Sequence, residues 1–143
     1  DELILFAMGE MLVSIAGRMG SLDFHNPDRA VLQNAIEEMI PLDRQRKVEA
    51  QIWFALLTRR IANPQVAVKA HDLDLVVRST VRQVLLELAT ANLLSAGRDL
   101  EVEAVRLHAL IDGLALHGLS EPPLDSPAAL RAAISAHLRD LSR

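Results

Sequence analysis

Side chains that could carry out chemistry are spread along this chain without the spacings that catalysis or metal binding requires. No two histidines are four residues apart, as in a helical zinc pair, and no glutamate precedes a histidine by three residues, as in a di-iron bundle. No serine lies in a Gly-x-Ser-x-Gly turn, and there is no glycine-rich phosphate loop. We therefore predict no metal site, no cofactor and no enzyme activity. The histidines are His25, His71, His108, His117 and His137.

Asp112 is the polar residue that the pattern singles out. It lies in an otherwise apolar segment, next to Gly113 and four residues after His108. On a helix that spacing lets the two side chains meet, and a buried carboxylate needs a partner. Two interpretations stay open. Asp112 lines a pocket and meets a cationic or hydrogen-bonding ligand, or it pairs with His108 or an arginine at a helix junction or subunit interface.

Aromatic residues indicate where a ligand could bind. Trp53 and Phe54 are two of only four aromatic residues, and Leu57 follows them in the same predicted helix. Apolar pockets between bundle helices are common ligand sites, and a tryptophan face suits a cation. Ordinary core packing is the alternative for each of these residues. The predicted ligand-binding residues are Met11, Trp53, Phe54, Leu57, Val77, Thr80, Asp112 and Leu116.

The elements that must position these residues are helices. Asn26-Pro27, Asn63-Pro64 and Ser126-Pro127 each place a capping side chain before a proline at a first helical position. No segment alternates polar and apolar residues for long enough to form a strand. The sequence predicts an all-α, six-helix bundle with short connections, its helices covering about 2–19, 27–39, 43–62, 64–94, 100–119 and 127–141.

The last two predicted helices carry more apolar residues than one side of a small bundle needs. Segment 107–119 is apolar around most of its circumference, and segment 127–141 has one apolar face. We predict a homodimer in which these two helices from each chain form an intermolecular four-helix bundle. A single intramolecular core is the alternative. The predicted interface residues are Leu110, Leu114, His117, Leu130, Ile134, Leu138 and Leu141.

Length and composition limit the remaining possibilities. At 143 residues the chain is one domain, and its net charge of -4 lacks the basic patch of a DNA-gripping surface. The absence of cysteine excludes disulfides and thiolate metal sites. No apolar run reaches the roughly 20 residues of a membrane span, and no signal peptide is visible. We predict a cytoplasmic protein with no membrane partner and no direct contact with DNA.

Two motifs carry a resemblance to a known family. One is Ile111–Leu116, which reads IDGLAL and is followed by a proline-containing break and a Ser/Pro-capped helix. The other is Pro41–Arg46, which leads into Ala50–Ala55 and closes at Asn63-Pro64. In order and spacing they resemble the C-terminal end of tetracycline-repressor (TetR) type regulators, in the BetI-like branch.

The resemblance implies a fold and a function. Residues 1–143 would form a single ligand-binding and dimerisation domain, while the N-terminal helix-turn-helix of the family is absent from this chain. An unidentified small-molecule effector would enter the bundle near the first, third, fourth and fifth helices. The first helix would then shift and change the spacing of two DNA-binding domains. The alternative is a stand-alone helical interaction module that dimerises with a partner regulator.

Overall fold

The computed structural model describes all residues, Asp1–Arg143, as seven α-helices without strands. This confirms the predicted all-α class. The helices are α1 (Glu2–Gly20), α2 (Arg29–Glu37), α3 (Arg44–Ala62), α4 (Pro64–Lys69), α5 (His71–Thr90), α6 (Leu100–Leu119) and α7 (Pro127–Leu141).

The predicted fourth helix is two helices, which corrects the count from six to seven. The chain turns at the fully buried Ala70, so that α4 packs on α3 while α5 packs on α2 and α6. α5 also ends at Thr90, earlier than predicted. Asn92 adopts a left-handed φ of 56°, and the Leu93 N–H donates to the Leu88 carbonyl at 2.8 Å. This arrangement closes the helix and satisfies its last carbonyls.

Capping side chains begin most of the helices. Asn63 accepts from the Gln65 N–H and Ser126 from the Ala129 N–H, as the sequence predicts. The second helix differs, because its cap is Asp28 rather than Asn26 and its first helical residue follows Pro27 by two positions.

Hydrophobic side chains pack into two separate clusters. The minor cluster lies under α1, α3 and α4 and contains five buried residues: Met8, Met11, Leu56, Val66 and Ala70. The main cluster joins α2, α5, α6 and α7. Its 15 buried residues are Leu32, Ala35, Ile36, Ile40, Val81, Val84, Leu85, Leu88, Leu107, Ile111, Leu114, Leu130, Ile134, Leu138 and Leu141.

Most residues of the predicted dimer interface are buried within the single chain. Five of its seven residues belong to the main cluster, namely Leu114, Leu130, Ile134, Leu138 and Leu141. The apolar face of α7 is covered by α2 and α6 of the same chain, which leaves little surface of these side chains for a second chain. A dimer through these residues stays a prediction. Leu110 packs against the same cluster. His117 is exposed, and its Nδ1 lies 2.6 Å from a carboxylate oxygen of Asp125.

A close helix contact at Gly118 gives a testable prediction. A Cβ there would lie 2.6 Å from Pro41 Cγ and 3.1 Å from Leu130 Cδ1. We expect Gly118→Ala to lower the free energy of unfolding by about 1–3 kcal/mol, because the proline ring cannot easily move aside. At Gly17 in α1 a Cβ meets nothing within 4 Å. Gly17→Ala should raise the same quantity by about 0.5–1 kcal/mol. Denaturant unfolding compares the two variants, and changes of the same sign would contradict the close contact.

One side of α1 is apolar and exposed. Leu3, Phe6 and Val13 have exposed fractions of 80%, 67% and 70%. By length and composition α1 is apolar enough to cross a membrane, and only Met8 and Met11 of its residues are buried. This differs from the prediction that no segment is long enough, because its few charged residues interrupt the apolar run while the average stays high. Core helices and signal sequences have the same composition, so this feature alone assigns no membrane role.

Candidate functional site

A cavity of about 120 Å³ lies between the main and minor clusters, and we call it the inner cavity. It is bounded by α1, α3, α5 and α6 and by the segment that follows α2. Most of its wall is apolar. The lining residues are Met11, Leu12, Ile15, Ala16, Met19, Glu38, Met39, Arg46, Glu49, Ala50, Trp53, Val76, Val77, Thr80, His108, Ile111, Asp112 and Ala115.

A second, larger depression of about 620 Å³ adjoins the inner cavity, and we call it the outer groove. It runs between α3, α5 and α6 and is rich in charged residues. Its charged members are Arg60, Asp74, Arg78, Arg82, Glu101 and Asp112. Most of these are engaged in pairs: an Arg60 nitrogen lies 2.7 Å from an Asp74 oxygen, and an Arg82 nitrogen lies 2.6 Å from a Glu101 oxygen.

Three side chains line both spaces and separate them, and we call Trp53, His108 and Asp112 the partition. The indole N–H of Trp53 donates to Asp112 Oδ1 at 2.8 Å. The rings of Trp53 and His108 are tilted, with centroids 6.1 Å apart. Asp112 and His108 are 3.9 Å apart at their nearest polar atoms, so the main partner of the carboxylate is the indole across the α3–α6 junction.

Ion pairs tie α1 to α3 and to the segment after α2, beside the inner cavity. The Arg18 guanidinium donates to Glu49 at 2.6 and 2.8 Å and also to Glu38, which Arg46 contacts as well. The Ser14 hydroxyl donates to Glu49 at 3.2 Å. We call Ser14, Arg18, Glu38, Arg46 and Glu49 the Arg18 network, and the last three of them line the inner cavity.

Two members of the Arg18 network have shifted pKa values, and both shifts follow from the ion pairs. The hydrogen bond to Glu49 raises the pKa of Arg18 further above its ordinary value, against the opposing effect of desolvation. Burial on its own raises the pKa of Glu38, but hydrogen bonds from Arg46 and Arg18 outweigh it, and the pKa lies below its ordinary value. Two cations and two carboxylates therefore balance each other in a partly buried position.

The predicted ligand-binding residues fall into three groups. Five line the inner cavity: Met11, Trp53, Val77, Thr80 and Asp112. Leu57 lines the outer groove. Phe54 is half-buried and lines neither space. Leu116 also lines neither and is 53% exposed, because it lies on the outer side of α6.

The Arg18 network is absent from the sequence prediction. Arg46, Ala50, Trp53 and Leu57 follow one another at steps of three or four residues, which puts them on one face of α3. That spacing could have extended the predicted ligand-binding face of this helix from Trp53 to Arg46. No local spacing links Glu49 to its partner on α1, which is 31 residues earlier in the chain.

Comparison with known proteins relates this chain to transcriptional regulators. Residues 28–143 match the family described as BetI-type transcriptional repressor, C-terminal. The chain is 29% identical over 143 residues to the HTH-type transcriptional regulator PksA of Bacillus subtilis (strain 168), covering 99% of this chain and 68% of that protein. A solved structure of a transcriptional regulator from Rhodococcus sp. Rha1 shares the fold. Its TM-score is 0.79 at 24% identity, over 99% of this chain and 72% of that one.

Proposed function

This chain belongs to the BetI-type family of TetR-like transcriptional repressors, through their C-terminal domain, and we propose that it binds a small-molecule effector that controls DNA binding by an N-terminal helix-turn-helix. The proposal assigns residues 1–143 to one ligand-binding and dimerisation domain. DNA contact belongs to the helix-turn-helix, in keeping with the net charge of -4 here. In this proposal the protein acts in the cytoplasm.

The inner cavity is the observation that carries the effector-binding part of the proposal. It is apolar over most of its wall and carries a few convergent polar groups, which is the usual character of a small-molecule site. Met11, Ile15 and Met19 of α1 form one side of it. A ligand that displaces these side chains therefore acts directly on α1.

The Arg18 network supports a route from the cavity to α1. Glu49 faces the cavity and holds Arg18, which lies on the same helix as Met19. A ligand that changes the position of α3 or α1 changes this ion pair as well. In the proposed mechanism α1 then shifts and alters the spacing of the DNA-binding domains, so that effector and DNA each weaken or strengthen the binding of the other.

Benzene tests whether the inner cavity accepts an apolar molecule. Three of the four methionines, Met11, Met19 and Met39, line the cavity, and Met8 does not. In a chain with isotope-labelled methionine methyl groups, we expect benzene to shift the resonances of the first three and to leave that of Met8 nearly unchanged. An engineered apolar cavity of about 150 Å³ binds benzene, which makes the size suitable.

A pair of matched variants controls this experiment. Val77→Phe adds a ring to the cavity wall and should abolish the benzene-induced shifts. Val68→Phe adds the same ring on α4, where the side chain is 77% exposed, and should leave them intact. Equal responses of all four methionines, or no response at all, would contradict binding in the inner cavity.

Dimerisation is proposed through an exposed apolar stripe on α6 rather than through the residues that the sequence predicts. Val102, Val105 and Leu116 have exposed fractions of 53%, 65% and 53%. Ala109 and Gly113 are also exposed and lie between them at helical spacing. We propose that a second copy of the chain covers this stripe, because a two-fold axis that passes through the stripe pairs it with the identical stripe of the second copy. Small residues at its centre favour a close approach of the two helices. Val105 and Ala109 also line the outer groove, so the second copy would border that groove.

Leu116→Glu tests this arrangement. Placing a carboxylate in the stripe should convert a dimer of about twice the chain mass into a monomer of 15.7 kDa. Size-exclusion chromatography with light scattering measures the mass. Ile61→Glu is the control, because Ile61 is 89% exposed at the end of α3, away from the stripe. A Leu116→Glu protein that keeps the mass of the unsubstituted dimer would rule out this interface.

A further inference from the structure

The inner cavity is small for the ligand of a regulator. Its volume of about 120 Å³ corresponds to one benzene-sized group, whereas sites for drug-sized ligands measure about 300–1,000 Å³. The outer groove, at about 620 Å³, has the missing volume. Only the partition of Trp53, His108 and Asp112 stands between the two.

The partition is held by few contacts. Trp53 and Asp112 share one hydrogen bond, of 2.8 Å, across two helices. The Nε2 atom of His108 is buried and has no hydrogen-bond partner. A modest rotation of the Trp53 and Asp112 side chains would therefore join the two spaces, and a ligand that supplied a polar partner to His108 would compensate for the broken bond.

The side chains of the outer groove that lack hydrogen-bond partners are donors rather than acceptors. Each carboxylate there has a partner: Asp74 has Arg60, Glu101 has Arg82, and Asp112 has Trp53. Arg78, in contrast, forms no ion pair, and the Nε of Arg60 is buried without an acceptor. Guanidinium groups with free donors are suited to carboxylate or phosphate.

A third depression, of about 500 Å³, shares Met19 and Thr80 with the inner cavity but has the opposite character. Its only charged lining residue is Glu87. An anionic group entering that way would meet a carboxylate and no cation. An anionic group can therefore meet a cation in the outer groove but not in the third depression.

On the basis of the proposed function, we infer that the effector is an elongated anionic amphiphile that crosses the partition. Its apolar end, the size of a phenyl ring, fills the inner cavity, and its carboxylate or phosphate lies in the outer groove near Arg78 and Arg60. The Trp53–Asp112 hydrogen bond opens to admit it. The partition is thus both the gate between the outer groove and the inner cavity and the middle of the site.

A series of phenyl compounds tests the inference. Phenylacetate, phenylbutyrate and phenylhexanoate extend a carboxylate progressively away from the same ring, and phenylhexylamine carries an ammonium group instead. We expect the dissociation constant, measured by calorimetry, to fall with chain length, with phenylhexanoate binding at least about tenfold more tightly than benzene. The amine should bind at least about tenfold more weakly than the acid of the same length.

Variants separate the head-group site from the gate. Arg78→Gln should raise the dissociation constant of phenylhexanoate about tenfold and change that of benzene by less than about twofold. Arg139→Gln on α7 should change neither dissociation constant. Asp112→Ala should raise the association rate constant of phenylhexanoate about tenfold, followed by stopped-flow fluorescence of Trp53, the single tryptophan. Asp112→Asn retains an acceptor for the indole and should keep the original rate. If Asp112→Ala does not fold, Trp53→Phe breaks the same bond, and the exchange rate is then read from the methionine methyl resonances.

The outcomes distinguish the inference from the function on which it rests. If benzene binds in the inner cavity but the longer acids bind no more tightly, the inference that the ligand crosses the partition is wrong and the proposed function is unaffected. A preference for the amine would overturn the anionic assignment and point to the depression beside Glu87. Failure of benzene itself to shift Met11, Met19 and Met39 would count against the proposed function.

Discussion

Leu138→Ala is expected to lower the free energy of unfolding by about 3–4 kcal/mol, the loss typical of a buried leucine that leaves a cavity behind. Leu138 has no exposed surface and lies in the main cluster of the single chain. The loss should persist in the monomeric Leu116→Glu background, because a core residue acts within one chain. Urea unfolding of the single and double variants measures the difference.

The surface of the same helix provides the control. Arg139 is exposed on α7, and Arg139→Ala should change the free energy of unfolding by less than about 0.5 kcal/mol. If Leu138→Ala left stability unchanged but dissociated the proposed dimer, Leu138 would belong to the interface that the sequence predicts and not to the main cluster.

Arg18→Met is expected to destabilise the protein by about 2–3 kcal/mol. The substitution leaves Glu49, whose side chain is 10% exposed, without its guanidinium partner and removes one of the two arginines from Glu38. Removing one member of a buried ion pair costs up to about 3–5 kcal/mol, and the 25% exposure of Arg18 reduces the expected value. Thermal and denaturant unfolding both measure it.

Two further variants isolate the charge effect in the Arg18 network. Arg18→Met combined with Glu49→Gln should recover part of the loss, because the unpaired carboxylate is gone. Arg59→Met removes an exposed arginine of α3 and should cost less than about 0.5 kcal/mol. Equal losses in Arg18→Met and Arg59→Met would mean that the network contributes no more than an exposed ion pair does.

The network also gives stability a pH dependence with a definite sign. Glu38 has a lowered pKa in the folded chain, so the unfolded chain binds its proton more readily. The stabilisation is complete above the ordinary pKa of 4.5 and is lost as the pH falls below that value through the lowered pKa of the folded state.

Local patterns predicted the helical elements, and long-range contacts account for what they missed. Periodicity and caps such as Asn63 and Ser126 depend on neighbouring residues, so the all-α class and most helix ends follow from the sequence. The buried face of α7 was equally visible, but an amphipathic pattern does not reveal whether α2 of the same chain or another chain covers it. The apolar circumference of α6 was also visible, but the pattern assigned Leu116 to a ligand pocket, whereas this side chain is 53% exposed.

The candidate site shows the same division. Trp53 and Asp112 each stand out in the sequence, one as a rare aromatic residue and the other as a polar residue in an apolar segment. Their hydrogen bond joins positions 59 residues apart, and nothing local predicts it. The sequence offered His108 as the partner of Asp112, but in the fold the nearer partner of Asp112 is Trp53.

The unequal size of the two clusters makes the chain uneven in local stability. Fifteen buried residues hold α2, α5, α6 and α7 together, whereas five hold α1 and α4 against α3. Amide hydrogens of α1 should therefore exchange through small openings that leave the larger unit folded. For the proposed effector, such openings would offer an exit besides the partition, so its residence time would depend on the smaller unit, whereas the lifetime of the fold depends on the larger one.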